Sequence, residues 1–455
     1  MAVVVEKMCE QVARGRKTLV VGLGKTGMSC ARYLVRCGSE VAVTDTRVAP
    51  PELEAARQEL PEMPLFLGAF SESAFARAEQ IVVSPGVSRN HPLIEAAAAR
   101  GVEVIGDIEL FARAAAAPVV AVTGSNGKST VTTWVGEMAR AAGCVTRVGG
   151  NLGTPALEML QDEEPDLYVL ELSSFQLETT WSLATVAAAL LNMSPDHLDR
   201  YASVEDYAAA KQRIFRHAAV QVVNADDPLA VSLVDTARPV RRFTLAEPGS
   251  EDYGIAIHAG SEWLMRGPQP VLPVHALRLP GRHNVANALA ALALGDAAGL
   301  PEAAMVRALE SFRGLPHRMQ WVAEVNQVTW YNDSKGTNPG ATCAAAGGLQ
   351  QPLVLLAGGD GKGADFSPLR DALAGKARAV ILFGRDARLI ESALDGIVPV
   401  QHAASLQEAV KLASRTARPG DAVLLSPACA SFDMFRNYEQ RGQVYVDCVR
   451  SLGGD

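Results

Sequence analysis

A short glycine-rich loop between an apolar strand and a helix most restricts what this chain can fold into. The strand is predicted over residues 118–122, and residues 124–130 are Gly-Ser-Asn-Gly-Lys-Ser-Thr. Glycines allow backbone N–H groups to curl around phosphate oxygens, and the helix N-terminus adds positive potential. Lys128 is then placed to reach the β- and γ-phosphates, and Ser129 to ligate Mg²⁺. The spacing departs from that of the standard phosphate-binding loop only at the first glycine. The motif therefore predicts a nucleotide site, and the alternative is a glycine-rich strand–helix turn.

Short β-branched runs alternate with alanine-rich helical stretches almost from end to end, as in parallel sheets with helical crossovers. The length of 455 residues allows about three domains. We therefore predict an α/β fold with three domains. They are a Rossmann-like N-terminal domain (1–106), a central P-loop ATPase domain with a mostly parallel sheet (107–314) and a C-terminal Rossmann-like α/β domain (315–455).

The periodicity changes between residues 251 and 279, where short alternating segments predict a small antiparallel addition to the central sheet. Helices are predicted over residues 107–117, 284–298 and 301–312, and strands over residues 18–21, 40–44, 80–83, 118–122, 167–172, 187–192, 220–224, 320–325, 353–357, 379–383 and 422–425.

Composition narrows the classes of partner. Forty-two lysines and arginines stand against 50 acidic residues, and the net charge of −8 argues against nucleic acid or an anionic membrane. No apolar run approaches the roughly 18 residues of a bilayer span. The N-terminal residues mix charges into the first turns and lack the pattern of a signal peptide. We expect a cytoplasmic protein without membrane insertion.

A second glycine cluster, Gly-Leu-Gly-Lys-Thr-Gly at residues 22–27, follows the first predicted strand. Asp45 ends the next strand, and it is followed by Thr46 and Arg47. This spacing is that of a dinucleotide fingerprint. The same backbone geometry also suits another diphosphate or a purely structural turn. A nicotinamide-dependent oxidoreductase therefore stays open as an alternative from a different functional class.

Polar residues at other strand ends extend the candidate site, because parallel sheets bind ligands outside the carboxyl ends of their strands. Glu171 is placed to hold a hard cation, although an isolated glutamate at a strand end is more often structural. His197 follows another strand, and a lone histidine there is ordinarily a capping or solvent-facing residue. Lys211 by its position alone is a solvated helix lysine.

Three polar loops in the last third of the chain suggest a binding face. Asp333, Lys335 and Thr337 lie in the first loop, where the alternative is an ordinary capped turn. A flexible loop presents Lys362, and a small-residue loop after the last apolar strand, residues 426–433, suits close approach of a ligand.

The ordered set of motifs resembles the Mur ligase family. It comprises GLGKTG, TDTR, SPGV, GSNGKST, GGNLG, ELSSFQLE, SPDHLDRY, AAAKQRIF, GRHNVANALAA, GLPHR, NDSKGTNP, GGDGKGADF and SPACASFDMF, which span nearly the whole chain. NDSKGTN, DGKGADF and SPACASFD are similar to the branch that adds D-glutamate. The Asp-Asn-Pro-Arg signature of the diaminopimelate- or lysine-adding branch is absent. Another amino-acid-adding ligase, or a folylpolyglutamate synthetase relative, is the alternative within the class.

The resemblance implies ATP-dependent amide formation in peptidoglycan precursor synthesis, through an acyl phosphate. The implied partners are UDP-N-acetylmuramoyl-L-alanine, D-glutamate and ATP, with two Mg²⁺ ions, and we expect a monomer. A binding module that hydrolyses ATP without synthesis is a third alternative, since its hydrolysis would not depend on an amine.

The resemblance also implies roles for individual residues. It assigns Lys128, Glu171, His197 and Lys211 to catalysis, with Ser129, Glu171, His197 and a carbamate on Lys211 as metal ligands. ATP contacts are implied for Gly124, Ser125, Asn126, Gly127, Lys128, Ser129, Thr130, Asn284, Asn287, Arg318 and Asp333, with His317 beside them. Contacts with the UDP substrate are implied for Lys25, Thr26, Asp45, Thr46, Arg47, Ser84, Gly86 and Asn151. Contacts with D-glutamate are implied for Lys335, Thr337, Lys362, Ser431 and Tyr438, although the family commonly has phenylalanine where Tyr438 stands.

Overall fold

In the part of the chain that the structure describes, the fold is organised by three β-sheets whose central strands are almost fully buried. The computed structural model describes residues 15–160, 163–194 and 200–453. Within this part of the chain, no helix combines the length and the apolar character needed to cross a membrane.

The first sheet is entirely parallel, with strand order β3-β2-β1-β4-β5. Its strands are β1 (Lys17–Val21), β2 (Glu40–Asp45), β3 (Leu65–Leu67), β4 (Gln80–Val83) and β5 (Glu103–Ile105). The helices of this region are α1 (Lys25–Arg36), α2 (Leu53–Glu59), α3 (Glu72–Arg77), α4 (Pro92–Ala99) and α5 (Asp107–Ala114).

The second sheet has nine strands in the order β14-β13-β12-β11-β10-β9-β6-β8-β7. They are β6 (Val119–Thr123), β7 (Thr146–Gly150), β8 (Leu167–Glu171), β9 (Ala187–Leu190), β10 (Gln221–Asn224), β11 (Val240–Phe243), β12 (Tyr253–His258), β13 (Ser261–Arg266) and β14 (Gln269–Pro273). The helices are α6 (Lys128–Ala141), α7 (Ser174–Glu178), α8 (Val204–Gln212), α9 (Pro228–Ser232), α10 (Arg282–Ala297) and α11 (Glu302–Ser311). Only the pairings of β13 with β12 and β14 are antiparallel, as the alternating pattern predicts.

The third sheet has the order β15-β16-β20-β17-β18-β19. Its strands are β15 (Gln320–Val325), β16 (Val328–Asn332), β17 (Leu353–Gly358), β18 (Ala377–Phe383), β19 (Val400–His402) and β20 (Ala422–Leu425). The helices are α12 (Pro339–Gly348), α13 (Pro368–Leu373), α14 (Ala387–Leu394), α15 (Leu406–Thr416) and α16 (Tyr438–Leu452). Strands β15 and β16 form an antiparallel hairpin beside an otherwise parallel sheet.

The predicted α/β class and its three mostly parallel sheets are confirmed. The structure ends the helix predicted over residues 107–117 at Ala114, and the strand predicted over 187–192 at Leu190. The sequence pattern does not identify short strands such as β3, β5 and β19, because three residues contain too little periodicity to distinguish them from loops.

The described chain forms two units, one of residues 15–274 and 286–309, the other of residues 275–285 and 310–453. In the first unit, α5 packs against the second sheet, where the rings of Phe111 and Tyr168 meet edge to face at 5.0 Å. One apolar core therefore runs from the first sheet to the second. In the second unit, helices cover both faces of the third sheet, which gives two separate apolar clusters.

Candidate active site

The loop between β6 and α6 needs glycine at both of its glycine positions. Gly124 has a φ of +152° and Gly127 a φ of +83°, values that other residues rarely adopt. A Cβ on Gly127 would lie 2.4 Å from the Oδ1 atom of Asn287. Helix α6 then begins at Lys128 with no side-chain cap. The loop is therefore a tight cradle that ends at a helix N-terminus, the arrangement that binds phosphate.

Hydrogen bonds hold this cradle in place. Lys128 Nζ donates to the carbonyls of Gly124 and Ser125, each at 3.0 Å, so its amine lies across the loop. Asn126 and Asn192 bond reciprocally, at 2.8 and 3.0 Å. Ser125 Oγ donates to the Ser194 carbonyl at 3.1 Å. Thr130 lies in the first turn of α6.

Glu171, the last residue of β8, joins two parts of the site. Its carboxylate is buried and accepts hydrogen bonds from Ser129 Oγ at 2.6 Å and from Asn151 Nδ2 at 2.7 Å. Strand β8 lies between β6 and β7, so the cradle after β6 and the loop after β7 meet at its carboxyl end. Ser129 and Glu171 supply the oxygen ligands that Mg²⁺ prefers. These residues fit a Mg²⁺–nucleotide site.

The remaining predicted metal ligands are Lys211 and His197. Lys211 is only 2% exposed, and its Nζ donates to the Gly124 carbonyl at 2.9 Å and to Thr123 Oγ1 at 3.4 Å. His197 lies outside the described residues. Among those that are described, no cluster of three or more His, Cys, Asp or Glu side chains is suited to a metal. Ser129 and Lys211 are not among these four residue types, so a site that includes them is a different kind of arrangement.

A cleft of about 540 Å³ opens where the first sheet faces the second. All eight residues that the resemblance assigns to the UDP substrate line it. Gln176 lines it as well, although the sequence did not single this residue out. The amide of Gln176 is fixed, because it donates to Asp107 Oδ2 at 2.9 Å and accepts from the Ser173 N–H at 3.1 Å. The lining residues assigned beforehand are Lys25, Thr26, Asp45, Thr46, Arg47, Ser84, Gly86 and Asn151.

Asp45 is buried at the base of this cleft, where it holds neighbouring residues by hydrogen bonds. Its carboxylate accepts from the Leu23 N–H at 2.7 Å and from Arg47, through the backbone N–H, Nε and Nη2. Burial acts to raise the pKa of Asp45, but the bonds from Arg47 and Leu23 outweigh it and lower the pKa to about 2. Four bonds fill the capacity of a carboxylate. Asp45 therefore holds Arg47 and the glycine loop, and the oxygens that a dinucleotide ribose requires are already bonded.

In the second unit, Asp333 follows β16 and is 8% exposed. Its oxygens accept from Ser426 Oγ at 2.7 Å and from the Met319 N–H at 3.2 Å. Burial raises the pKa of Asp333 to about 6, against the opposing bond from Ser426. Arg318 lies between His317 and Met319, which both have positive φ. Asn284 belongs to the same unit and donates from Nδ2 to the Pro280 carbonyl at 2.8 Å.

Four of the residues assigned to D-glutamate lie on loops at the carboxyl ends of strands in the third sheet, and the fifth, Tyr438, begins α16. Lys335 Nζ lies 5.3 Å from the centre of the Tyr438 ring, and Lys362 Nζ lies 5.4 Å from that of Phe432. Ser431 is buried at 2% exposure, whereas Thr337 is exposed.

Arg441 is a residue that the sequence did not reveal. It is fully buried, and it donates to Ser334 Oγ and the Ser334 carbonyl, at 3.1 and 2.9 Å, and to the Cys429 carbonyl at 3.1 Å. Burial lowers its pKa to about 10, so the side chain keeps its charge at neutral pH. Arg441 thus ties the loop of Lys335 to the loop of Ser431. An arginine inside an otherwise polar helical stretch gives no pattern that would identify it.

Comparison with family models gives three consecutive matches. The model described as Mur ligase MurD-like, N-terminal domain matches residues 16–106. The Mur ligase middle domain matches residues 122–295, and the Mur ligase, glutamate ligase domain matches residues 317–429. Together the matches cover most of the chain.

Curated relatives are similar over nearly the full length. A protein of Nitrosococcus oceani named UDP-N-acetylmuramoylalanine–D-glutamate ligase is 55% identical over 437 residues, which are 96% of each chain. A protein of the same name from Pseudomonas aeruginosa is 52% identical over 445 residues, 97% of this chain and 99% of the relative.

Solved structures show the same fold at low identity. UDP-N-acetylmuramate–alanine ligase from Thermotoga maritima aligns with a TM-score of 0.58 at 21% identity, over 96% of this chain and 99% of the other. MurF from Acinetobacter baumannii aligns with a TM-score of 0.54 at 18% identity, over 96% and 92%.

Proposed function

The chain belongs to the Mur ligase family, and we propose that it adds D-glutamate to UDP-N-acetylmuramoyl-L-alanine with hydrolysis of ATP to ADP and phosphate. The relatives that carry this name are more than half identical to it over nearly their whole length. The reaction would supply a peptidoglycan precursor in the cytoplasm, and we propose a monomer as the active form.

One observation carries the proposal. The Glu171 carboxylate accepts from Ser129, which belongs to the phosphate cradle, and from Asn151, which lines the cleft assigned to the UDP substrate. A phosphate donor in the cradle and an acceptor in the cleft would therefore meet at one carboxylate. An enzyme that transfers phosphate to its second substrate requires this proximity.

Each of the three substrates is assigned to one of the three predicted domains. We propose that residues 1–106 bind the UDP end, residues 107–314 bind ATP, and residues 315–455 bind D-glutamate. Lys25, Thr26, Thr46, Arg47, Ser84, Gly86 and Asn151 would contact the UDP substrate, with Asp45 holding Arg47. The ATP contacts would be residues 124–130 with Asn284, Asn287, Arg318 and Asp333, and the D-glutamate contacts Lys335, Thr337, Lys362, Ser431 and Tyr438.

The reaction then proceeds in two displacements. A carboxylate oxygen of the muramoyl-alanine attacks the γ-phosphorus of ATP, the bond to the β-phosphate oxygen breaks, and ADP leaves. The amine of D-glutamate next attacks the acyl carbon, phosphate leaves, and the amine loses a proton. Both steps gather negative charge, so catalysis depends mainly on positioning and on charge neutralisation.

The residues of the cradle can supply this positioning and neutralisation of charge. Backbone N–H groups at the start of α6 and the ammonium of Lys128 would face the phosphates. Mg²⁺, held by Ser129 and Glu171 and at a second position by His197, would neutralise charge on the transferring group. Glu171 and Asn151 would keep the phosphate cradle and the substrate cleft in fixed relation.

We further propose that Lys211 works as a carbamate. Its amine is buried beside the Gly124 carbonyl at the back of the cradle. An unmodified ammonium adds positive charge there, whereas a carbamate adds a carboxylate able to ligate Mg²⁺.

Replacing Lys211 by alanine tests this role. We expect activity to fall about 100-fold and to recover in part when a short carboxylic acid, such as acetate, is added. The measurement is the rate of product formation against acetate concentration. Lys411→Ala, which changes an exposed helix lysine, should retain activity and show no response to acetate. Absence of rescue would contradict the carbamate.

The raised pKa of Asp333 predicts that the KM for ATP depends on pH. Because burial raises its pKa to about 6, the side chain takes up a proton as the pH falls through 6 and loses its charge. We expect the KM for ATP to rise about tenfold between pH 7 and pH 5, in proportion to the ionised fraction. Asp333→Asn should have a high KM at both values of pH and lack this limb. An acid limb that is unchanged in the variant would show that another group titrates.

The test of the function itself is phosphate release from ATP and Mg²⁺ with UDP-N-acetylmuramoyl-L-alanine, with and without D-glutamate. We expect release only when both substrates are present, and a product heavier by one glutamyl unit in the mass spectrum. Release in response to another amino acid would keep the ligase and change its specificity. Release without any amine would favour a binding module that hydrolyses ATP.

A further inference from the structure

Arg200 joins parts of the first unit that are distant in sequence. Its Nη1 donates to the Pro85 carbonyl at 2.8 Å, and its Nη2 donates to Glu178 Oε2 at 3.1 Å. Its guanidinium carbon lies 4.0 Å from the centre of the Phe175 ring. The side chain is 15% exposed, so these contacts are largely shielded from water. They fix the position of the guanidinium.

The carbonyl that Arg200 holds belongs to a wall of the cleft. Ser84, Pro85 and Gly86 all line that cleft. On the other side, Ser84 Oγ donates to the Gly22 carbonyl at 2.9 Å, within the glycine cluster. The wall is therefore held between the glycine cluster of the first sheet and Arg200, which comes from the second.

Arg200 is itself anchored by a row of aromatic rings. Phe175 stacks on Tyr201 with ring centres 5.9 Å apart, and Tyr201 contacts Tyr207 at 5.3 Å. The Tyr207 hydroxyl lies 3.4 Å from Ser125 Oγ in the phosphate cradle. The row runs from the cradle to the cleft wall without a break, and Tyr201 and Tyr207 within it are buried.

We propose that Arg200 is a positioning residue, which holds the wall of residues 84–86 in register with the phosphate cradle so that the UDP substrate binds where its carboxylate can react. The inference rests on the proposed function, because it takes the cleft as the site of the UDP substrate. Arg200 acts through the Pro85 carbonyl and the Phe175 ring. The forked guanidinium of arginine bonds both the Pro85 carbonyl and Glu178 while it lies over the ring. A lysine keeps the charge but lacks this fork.

The test compares Arg200→Lys with the wild-type enzyme in steady-state kinetics. We expect the KM for UDP-N-acetylmuramoyl-L-alanine to rise about tenfold, in the range of measured coupling effects. The KM for D-glutamate, whose assigned residues belong to the other unit, should stay within about twofold. Calorimetric titration of UDP-N-acetylmuramoyl-L-alanine without ATP should show the same loss of affinity.

Arg32→Lys is the matched control. Arg32 also joins the region of the first sheet to that of the second, through Glu59 and Glu158, but it does not line the cleft. Arg32→Lys should leave the KM values for the UDP substrate, D-glutamate and ATP unchanged. If Arg200→Lys instead lowers the melting temperature and raises all three KM values together, the role is structural and the proposal fails.

The two proposals fail separately. A wild-type protein that forms no product with D-glutamate contradicts the proposed function. A wild-type enzyme that forms product, beside an Arg200→Lys variant with unchanged KM and unchanged affinity for the UDP substrate, overturns the role of Arg200 alone.

Discussion

Lys128→Ala should reduce the rate of ligation by about a thousandfold or more, the scale of losing a fixed charge that faces a transferring phosphoryl group. The Lys128 amine lies 3.0 Å from the carbonyls of Gly124 and Ser125, at the mouth of the cradle. Lys211 Nζ bonds the same Gly124 carbonyl at 2.9 Å, but its side chain is only 2% exposed at the back of the cradle. The measurement is product formation at saturating concentrations of all three substrates.

The loss should be confined to steps that involve ATP. Lys128 is not among the residues that line the cleft of about 540 Å³, so calorimetric titration with UDP-N-acetylmuramoyl-L-alanine should give wild-type affinity. Lys411→Ala serves as the control for removal of an exposed lysine. Retained turnover in Lys128→Ala would refute the assignment of the cradle to ATP.

The sequence predicts the cradle well because its determinants are local. Two glycines with positive φ, a buried strand before them and a helix after them all lie within one stretch of about 25 residues. Strand boundaries in the sheet centres agree with the prediction within a few residues for the same reason. Ala422–Leu425 is a continuous apolar run, and Val119–Thr123 is apolar up to its last residue; such runs are typical of strands buried on both faces.

The relation between the cradle and the cleft could not be predicted from local pattern. It depends on strand order: β8 lies between β6 and β7, so Glu171 meets Ser129 on one side and Asn151 on the other. On the far side of β6 lies β9, and Asn192 beyond its end meets Asn126. Glu171 can be singled out in the sequence as a polar strand end, but its partners depend on a crossover that no short motif encodes.

The glycine cluster of residues 22–27, read together with Asp45, shows how a short motif can mislead. At the end of β2, Asp45 stands where a dinucleotide site has its ribose acceptor, and the spacing alone leaves a nicotinamide enzyme open. In the structure the four bonds from Leu23 and Arg47 occupy the carboxylate. The difference lies in Arg47, two residues further on, whose side chain folds back onto Asp45. Sequence spacing carries no information on that rotamer.

Arg441 and Arg200 illustrate a second limit. Both are arginines that bond backbone carbonyls of other loops, Cys429 and Ser334 in one case and Pro85 in the other. A carbonyl is present at every position, so the sequence does not mark which one an arginine will bond. The role of His197 stays a prediction, since it lies outside the described residues.

Glu171→Gln should reduce kcat/KM by about a thousandfold at low Mg²⁺, because it removes the charged ligand of the metal and keeps the shape of the side chain. Glutamine retains one acceptor oxygen where Glu171 has two, one for Ser129 and one for Asn151. The Ser129 hydroxyl can rotate to accept, so the fold should tolerate the change. The measurement is the dependence of the rate on Mg²⁺ concentration, whose midpoint should shift to higher Mg²⁺ and allow partial recovery.

Glu137→Gln provides the comparison, since Glu137 pairs with Arg140 on the exposed face of α6. The change removes the same charge without touching the cradle, and the Mg²⁺ dependence of this variant should match that of the wild type. Two results together would assign Glu171 a different role: activity of Glu171→Gln that no concentration of Mg²⁺ restores, and weaker binding of the UDP substrate. Glu171 would then act on substrate binding in the cleft through its bond to Asn151. An unchanged Mg²⁺ midpoint would therefore move Glu171 from metal ligation to positioning of the substrate.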